Sequence, residues 1–543
     1  ISSYTISCVK SRYINPLNKQ QVSLQIQGQK YREKKGYVKY HRDEHQILDV
    51  LFLQTKKIFS YHEIFYTGKN ILITGATGFM GKVLIEKLLR TCKGVGRIYL
   101  MVRQKKGKTI EQRTQTLFGE ELFSRLKEEC PSFLDKVTII PGDISEATLG
   151  LTEKDRERLI DDIDIVFHAA ATVNFDEKIK MSVNINIRGT QQILHLCRQL
   201  KHLKAVIHIS TAYANCNRRE VEEQIYESKM PSEAILQMTE IMDDEFLDSV
   251  TPQIIQGWPN TYTFTKQVAE DCVQHFGKGL PVAIFRPSII IGSSEEPVPG
   301  WIDNLYGPTG VCVAVGAGIM RTSLSDPAKV ADIIPVDYCV NAIISLAWDV
   351  ATNRNEDSLD IPVYNYVSSC DNPITWGDYF QYNMKYGTAM PCSRAIWYYT
   401  LTMTKSRFLF AILSFFFHTL PAIFLGYKTM MVAYAKIHKF LEVIAFFSTK
   451  QWKFTNNNVR ALWDKMSPAD REAFKFDMST LDWQSMLKEN VTGVRKYLLK
   501  DSPTTIPAAR RPFFTHILIN SPSLFNAVWP LNVAKFPSEK PNL

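Results

Sequence analysis

The sequence predicts an α/β fold: a doubly wound parallel sheet followed by a C-terminal, mainly helical, membrane-associated domain. Three observations carry that prediction. From Asn70 onward, short apolar runs alternate with stretches of helical periodicity, the rhythm of a parallel sheet. Three glycines separate the first apolar run from the first helix, and beyond Arg407 the composition turns apolar and aromatic.

The predicted strands are Asn70–Thr74, Arg97–Val102, Val137–Pro141, Ile163–His168, Ala205–Ser210 and Val282–Arg286. Between them, helical spacing recurs over Val83–Arg90, Glu153–Asp161, Ile187–Leu200 and Lys266–His275. A stretch richer in Pro, Gly and Asp follows, and a domain boundary is expected between Asp371 and Ser406. Since 543 residues exceed one ordinary core, the chain divides into a basic extension (1–60), the sheet domain (61–390), a helical domain (391–511) and a tail (512–543).

Composition excludes several classes. The net charge is +9, but residues 1–60 alone hold eleven Lys or Arg against four Asp or Glu. The body is therefore nearly neutral and offers no nucleic-acid face. That arm lacks an apolar core and is not a secretory signal. The ten cysteines are scattered, without zinc spacing or a compact disulfide framework, and read as reduced thiols. Nothing sets an oligomeric state.

The turn "TGATGFMG" carries Gly75, Gly78 and Gly81 between a strand and a helix. There, glycines let a backbone approach a pyrophosphate at a helix N-terminus, the Rossmann arrangement. A P-loop is excluded, because Val83 stands where Ser or Thr would follow Gly-Lys. The second strand ends in Arg103, with Lys105 and Lys106 behind it and no acid to bond a ribose 2′-hydroxyl. A cation there suits the 2′-phosphate of NADPH. Asp143 and Ile144 in "PGDIS" face the adenine edge, and Ala169, Ala170 and Ala171 put small residues beside the cofactor.

Chemistry enters with Tyr262 and Lys266, four residues apart and so on one helix face. An ammonium beside a phenol lowers its pKa from about 10 and makes Tyr262 a proton relay. Lys266 can also hold the nicotinamide ribose. Ser210 and Thr211 close the fifth strand at its carboxyl end, where open α/β sheets bind ligands and a hydroxyl can donate to a substrate oxygen. The competing reading is an amphipathic helix with a core tyrosine and a solvated lysine. Cys216 is a candidate acyl-thioester nucleophile without an evident base, and His168 and His208 read as core histidines.

With "VFHAAATVNFDE", "HISTAYANC", "PNTYTFTK", "FRPSIIIG", "GWIDNLYGPTG" and "IPVD", the chain from about Tyr61 to Arg511 resembles the alcohol-forming fatty acyl-CoA reductases of the insect type, within the extended short-chain dehydrogenase/reductases. The resemblance implies reduction of long-chain fatty acyl-CoA to a primary alcohol with two NADPH. It makes Tyr262 and Lys266 the catalytic pair, with Thr211 favoured over Ser210 as the third member and both retained. It assigns Thr74, Gly75, Thr77, Gly78, Phe79, Met80, Gly81, Arg103, Asp143, Ile144, Ala169, Ala170, Pro287, Ser288 and Ile289, together with Tyr262 and Lys266, to the cofactor. It also implies an intracellular membrane, endoplasmic reticulum or peroxisome, with the catalytic domain toward the cytosol. A sterol or nucleotide-sugar enzyme of the same group, or a non-catalytic NADP-binding regulator, remain the alternatives.

Phe408–Tyr427 contains twenty residues without a formal charge, about enough to cross a ~30 Å hydrocarbon layer. Ser414, His418, Thr419 and Pro421 interrupt it. The alternatives are a span or an interfacial helix pair broken at Pro421, with residues 430–447 supplying a second helix that has apolar and basic faces. Either brings the chain against membrane lipid.

Overall fold

Seven parallel strands form the central sheet, in the spatial order 3-2-1-4-5-6-7. They are β1 (Ile71–Thr74), β2 (Ile98–Val102), β3 (Val137–Pro141), β4 (Ile165–His168), β5 (Ala205–Ile209), β6 (Val282–Pro287) and β7 (Val363–Tyr366). The computed structural model describes residues 60–510, apart from 105–106, 108, 354–358, 397–398 and 425–427. The expectations for the N-terminal extension, the tail after 511, Lys105 and Lys106 fall outside the described residues.

The strand order reverses beside β1, which pairs with β2 on one side and β4 on the other. Such a reversal opens a crevice at the carboxyl ends of the central strands, the place where doubly wound sheets hold ligands. Helices cover both faces, so the strands are apolar throughout rather than alternating. Ile71 and Ile73 point into one core cluster and Leu72 into another.

Helix α1 (Phe79–Thr91) follows the glycine turn, and α2 (Ile110–Phe118) follows β2. A capping box between Thr109 and Gln112 fixes the start of α2. Helix α3 (Thr261–Phe276) is started by the Asn260 side chain, which accepts from the Thr263 amide at 2.9 Å. Helix α4 (Val336–Asn353) packs against α1 and the sheet.

Sequence reasoning missed β7, whose "VYNY" is short and half polar; it pairs with β6 from Val363↔Ile284 to Tyr366↔Pro287.

The C-terminal helices share the main core with the sheet domain: Leu441, Phe474, Phe476 and Leu487 belong to the same cluster as Ile73 and Leu88. The chain is helical from Arg407 to Phe424, passing through a π-turn at Phe415–Thr419. The expected break at Pro421 is absent, because the wider turn just before it accommodates a residue that lacks an amide proton. The helix α5 (Lys428–Ser448) packs back on this segment, with the rings of His418 and Tyr434 stacked at 4.9 Å. Among the described residues no helix is long and apolar enough to cross a membrane.

Candidate active site

The site gathers at the carboxyl edge of β1, β4, β5 and β6. Gly75 takes φ +74°, and a Cβ there would lie 2.8 Å from backbone atoms of Ala169 and Ala170. A Cβ on Gly81 would meet the Gly75 carbonyl oxygen at 2.3 Å. The first turn of α1 carries no acidic residue, so its amides and dipole remain open to an anion. The Ser288 hydroxyl, beyond β6, is buried with no hydrogen-bond partner among the described residues. A glycine cradle that any side chain would fill and an orphaned buried hydroxyl at the carboxyl end of β6 fit a dinucleotide.

A chain of hydrogen bonds ties the cradle to its neighbours. The Ala170 amide donates to Thr74 Oγ1 at 3.2 Å. Thr74 Oγ1 and His168 Nδ1 are 2.8 Å apart, and His168 Nε2 and Thr190 Oγ1 3.1 Å. Since the Thr190 hydroxyl donates onward to the Asn186 carbonyl at 2.7 Å, the ring donates from Nε2 and accepts at Nδ1. Burial, then the Lys266 charge, bring the His168 pKa down to about 3, and His208 falls well below its usual value for the same reasons.

At the tip of β2, Arg103 is exposed, and Arg113 from α2 folds over it. One Arg113 nitrogen donates to the Arg103 carbonyl, and another donates to Thr77 Oγ1 at 2.9 Å. Burial and then the like charge of Arg103 depress the Arg113 pKa. The Arg113 guanidinium thus sits at the edge of the glycine turn, within electrostatic reach of Arg103. Arg113 was not foreseen, because it lies ten residues past Arg103 and only the capped start of α2 brings it back. Asp143 is turned inward on its own loop, accepting from the Ser145 amide and hydroxyl at 3.0 and 2.7 Å. Ile144 is buried behind it, against Gly189. Phe79 stacks on Trp301 at 5.4 Å, and Met80 lies beside Cys339.

Ser210 and Thr211 diverge. The Ser210 hydroxyl donates to Glu270 at 2.5 Å, inside a buried pair that Arg286 forms with Glu270 at 2.7 and 2.8 Å. The Thr211 hydroxyl lies 3.5 Å from the Pro287 carbonyl, to which it donates, and is close enough to the Tyr262 phenol to influence its titration. Burial raises the Tyr262 phenol to about 12, against the opposing influence of the Thr211 hydroxyl. This reverses the direction expected from a neighbouring ammonium. Lys266 is itself buried, its ammonium donates to the Ile209 carbonyl at 2.6 Å, and burial lowers its pKa to about 8 despite the Glu270 charge. Tyr262 is therefore a neutral proton donor across the accessible pH range, which suits an acid better than a phenolate does. Asn186, also unforeseen, sits in a π-turn and bonds both the Thr172 amide at 2.9 Å and Thr265 at 2.9 Å, joining the β4 exit loop to α3.

Cys216 is no nucleophile: burial raises its thiol to about 12. Over the phenol lies a row of rings. Phe175 stacks on Tyr262 at 5.7 Å, and Phe447 from α5 meets Phe175 at 5.9 Å and Tyr213 at 5.2 Å.

Two family profiles, both described as male sterility protein, match residues 73–343, as an NAD-binding domain, and 409–501. "Fatty acyl-CoA reductase wat" of Drosophila melanogaster is 44% identical, over 82% of this chain and 87% of its own length. "Fatty acyl-CoA reductase 1" of Homo sapiens is 37% identical over 82% and 88%, and "Fatty acyl-CoA reductase 2" of Bos taurus is 36% identical over 87% and 93%. Among solved structures, the terminal reductase domain of the myxalamid PKS-NRPS pathway superposes with TM-score 0.53 at 20% identity, covering 82% of this chain and 97% of that one. A non-ribosomal peptide synthetase reductase domain of Mycobacterium tuberculosis does so with TM-score 0.53 at 18%, covering 83% and 96%. Those two likenesses concern the fold.

Proposed function

Because the chain belongs to the fatty acyl-CoA reductases, we propose that it reduces a long-chain fatty acyl-CoA to the primary alcohol with two equivalents of NADPH. The observation that carries this reading is the placement of Thr211 and buried Lys266, whose ammonium donates to the Ile209 carbonyl at 2.6 Å, with Tyr262 at the sheet edge that also bears the glycine cradle.

When bound, NADPH supplies hydride. The turn Thr74–Gly81, Ala169, Ala170 and the Pro287–Ile289 edge would hold it, Asp143 and Ile144 would border its adenine, and Lys266 would hold its nicotinamide ribose. Arg103 and Arg113 favour the 2′-phosphate, since two adjacent guanidinium groups without a carboxylate match a dianion. Thr211 and Tyr262 would donate to the thioester oxygen as negative charge develops there, and collapse of the tetrahedral oxyanion breaks the carbon–sulfur bond, expelling CoA thiolate to leave an aldehyde. In the second reduction the neutral phenol gives its proton to the aldehyde oxygen, so one pair of donors serves both steps.

Membrane association is part of the same reading. Phe408, Phe416, Ile423 and Val432 are each more than half exposed, at 77, 56, 57 and 58%. They lie on one helix pair, at whose base Lys405 pairs with Asp326 at 4.0 Å and Arg407 with Glu442 at 2.6 Å. Such an exposed apolar face suits the interface of an intracellular membrane, where an acyl chain resides.

Incubation with NADPH and palmitoyl-CoA, followed by gas chromatography, tests the activity. Hexadecanol is expected. Intact NADPH with neither alcohol nor aldehyde at any acyl length would overturn the proposal.

A further inference from the structure

Resting on the reductase reading, we infer that the loop following Thr211 carries the docking site for the phosphorylated nucleotide end of the CoA thioester, built from Arg218, Arg219, Lys229 and Lys450. Apart from Arg103 and Arg113 at the glycine turn, several other cations are neutralised: Lys178 by Asp248 at 2.8 Å, Lys180 by Asp244 at 2.8 Å, Arg188 by Glu240 at 2.7 Å and Lys439 by Asp176 at 3.2 Å. Arg218, Arg219, Lys229 and Lys450 are exposed, and among the described residues none has a carboxylate within ion-pair distance. The acids nearest in sequence are occupied, Glu220 by Lys453 at 3.2 Å and Glu222 by Gln224 at 2.6 Å.

The four converge because the chain folds them onto one loop. After Thr211 a 3-10 turn, Ala212–Asn215, leads to Cys216 and Asn217. The Trp452 indole donates to the Cys216 carbonyl at 3.0 Å, and the Lys453 amide donates to the Arg219 carbonyl at 2.9 Å, which brings the segment after Lys450 against this loop. On the other flank, a Cβ on Gly257 would lie 3.9 Å from both the Asn217 Cβ and the Lys229 ammonium. Three of the cations rest on rings: Arg218 on Tyr226 at 4.2 Å, Lys229 on Trp258 at 6.0 Å and Lys450 on Phe446 at 3.6 Å. Rings hold the stems while the charges stay available to phosphate.

The patch also stands at the right place along the substrate. From Tyr262, ring contacts run to Phe175, to Phe447 and on to Trp452 at 6.1 Å, reaching the loop in three steps. A pantetheine arm laid along that row would put the thioester at the phenol and the pyrophosphate and 3′-phosphate among the cations.

The test compares palmitoyl-CoA with the palmitoyl thioester of N-acetylcysteamine, which has the same reacting bond and no phosphate. Exposed charge pairs are individually weak, so Arg218→Ala, Lys229→Ala or Lys450→Ala should each raise KM for palmitoyl-CoA about two- to fivefold, and the triple variant about ten- to a hundredfold. The effect should be larger at low ionic strength. kcat and the kinetics of the phosphate-free thioester should move less than about twofold in the same variants, with the loss recovered as a smaller salt dependence. Equal losses on both thioesters, or none on either, would overturn the assignment. So would loss of binding to phosphatidylserine vesicles with KM for palmitoyl-CoA unchanged, which would make the patch a lipid site. Wild-type protein that reduces neither thioester would overturn the reductase reading itself, and this inference with it.

Discussion

Ser210 and Thr211 are adjacent in sequence and opposite in role: one hydroxyl is spent on the buried Glu270–Arg286 pair, while the other donates to the Pro287 carbonyl at 3.5 Å, on the side of Tyr262. An extended backbone alternates its side chains, so only one of two neighbours can face the crevice. Thr211→Val should lower alcohol formation about 10²–10³-fold, the usual loss of one oxyanion donor. Ser210→Ala should instead leave turnover within a few-fold and lower the melting temperature, since Glu270 loses one of its donors. Steady-state rates and thermal melts on both variants check the pair.

Tyr262→Phe removes one proton and keeps the ring that stacks on Phe175. Turnover should fall about 10²–10⁴-fold while the nicotinamide cofactor still binds. Rate measurement and cofactor fluorescence titration separate the two. Near-normal turnover would return the tyrosine to a packing role.

Lys266 has a folded pKa of about 8 against its ordinary 10.5. Two effects of opposite sign follow. Between these values the unfolded chain binds more protons, so stability rises with pH across that window. The ammonium is lost as pH passes 8, so cofactor affinity should fall on the alkaline side. Lys266→Met should weaken cofactor binding at neutral pH and abolish that alkaline decline, as titration from pH 6 to 9.5 would read out.

For cofactor choice, Arg103→Ala and Arg113→Ala should each weaken NADPH roughly ten- to a hundredfold, the loss of a charge-assisted bond of about 1.5–3 kcal/mol. NADH should be nearly indifferent to Arg103. Arg113→Ala also frees Thr77 and should cost NADH a few-fold. The ratio of kcat/KM for the two cofactors in each variant is the measurement; an unchanged ratio would place both arginines outside the phosphate's reach.

The part of the fold legible in sequence is the part with one-dimensional periodicity. Six strands are apolar because helices cover both sheet faces, and the glycine turn announces itself through Gly75 and Gly81, where contact distances forbid a side chain. The strand Val363–Tyr366 escaped because its Asn365 is polar; the Asn365 amide accounts for it, donating to the Val221 and Thr455 carbonyls. Arg113 and Asn186 escaped for a different reason. Each reaches the site through a helix start or a π-turn, and such local geometry has no spacing rule that a sequence displays. The depressed phenol pKa expected for Tyr262 failed because spacing reports proximity, whereas burial of both groups decides the charge balance.

Helix α1 carries an internal ion network that reaches far along the chain. Lys87 is bound by Glu296 and by the Ala473 carbonyl at 2.6 Å, while Arg90 holds Glu86 at 2.7 Å and Glu296 at 2.8 Å. Burial alone would raise the Glu296 pKa, but Lys87 and Arg90 hold it down, to about 2. The helix that opens the nucleotide cradle is thus anchored by a residue almost four hundred positions away, in the helical segment. A truncated gene product lacking that segment would leave Lys87 with Glu296 alone, losing a charge-assisted hydrogen bond of about 1.5–3 kcal/mol. Cradle and distant anchor are in this sense inherited together, and an exchange of C-terminal segments between relatives must keep a carbonyl in the place of Ala473 as the second acceptor for Lys87.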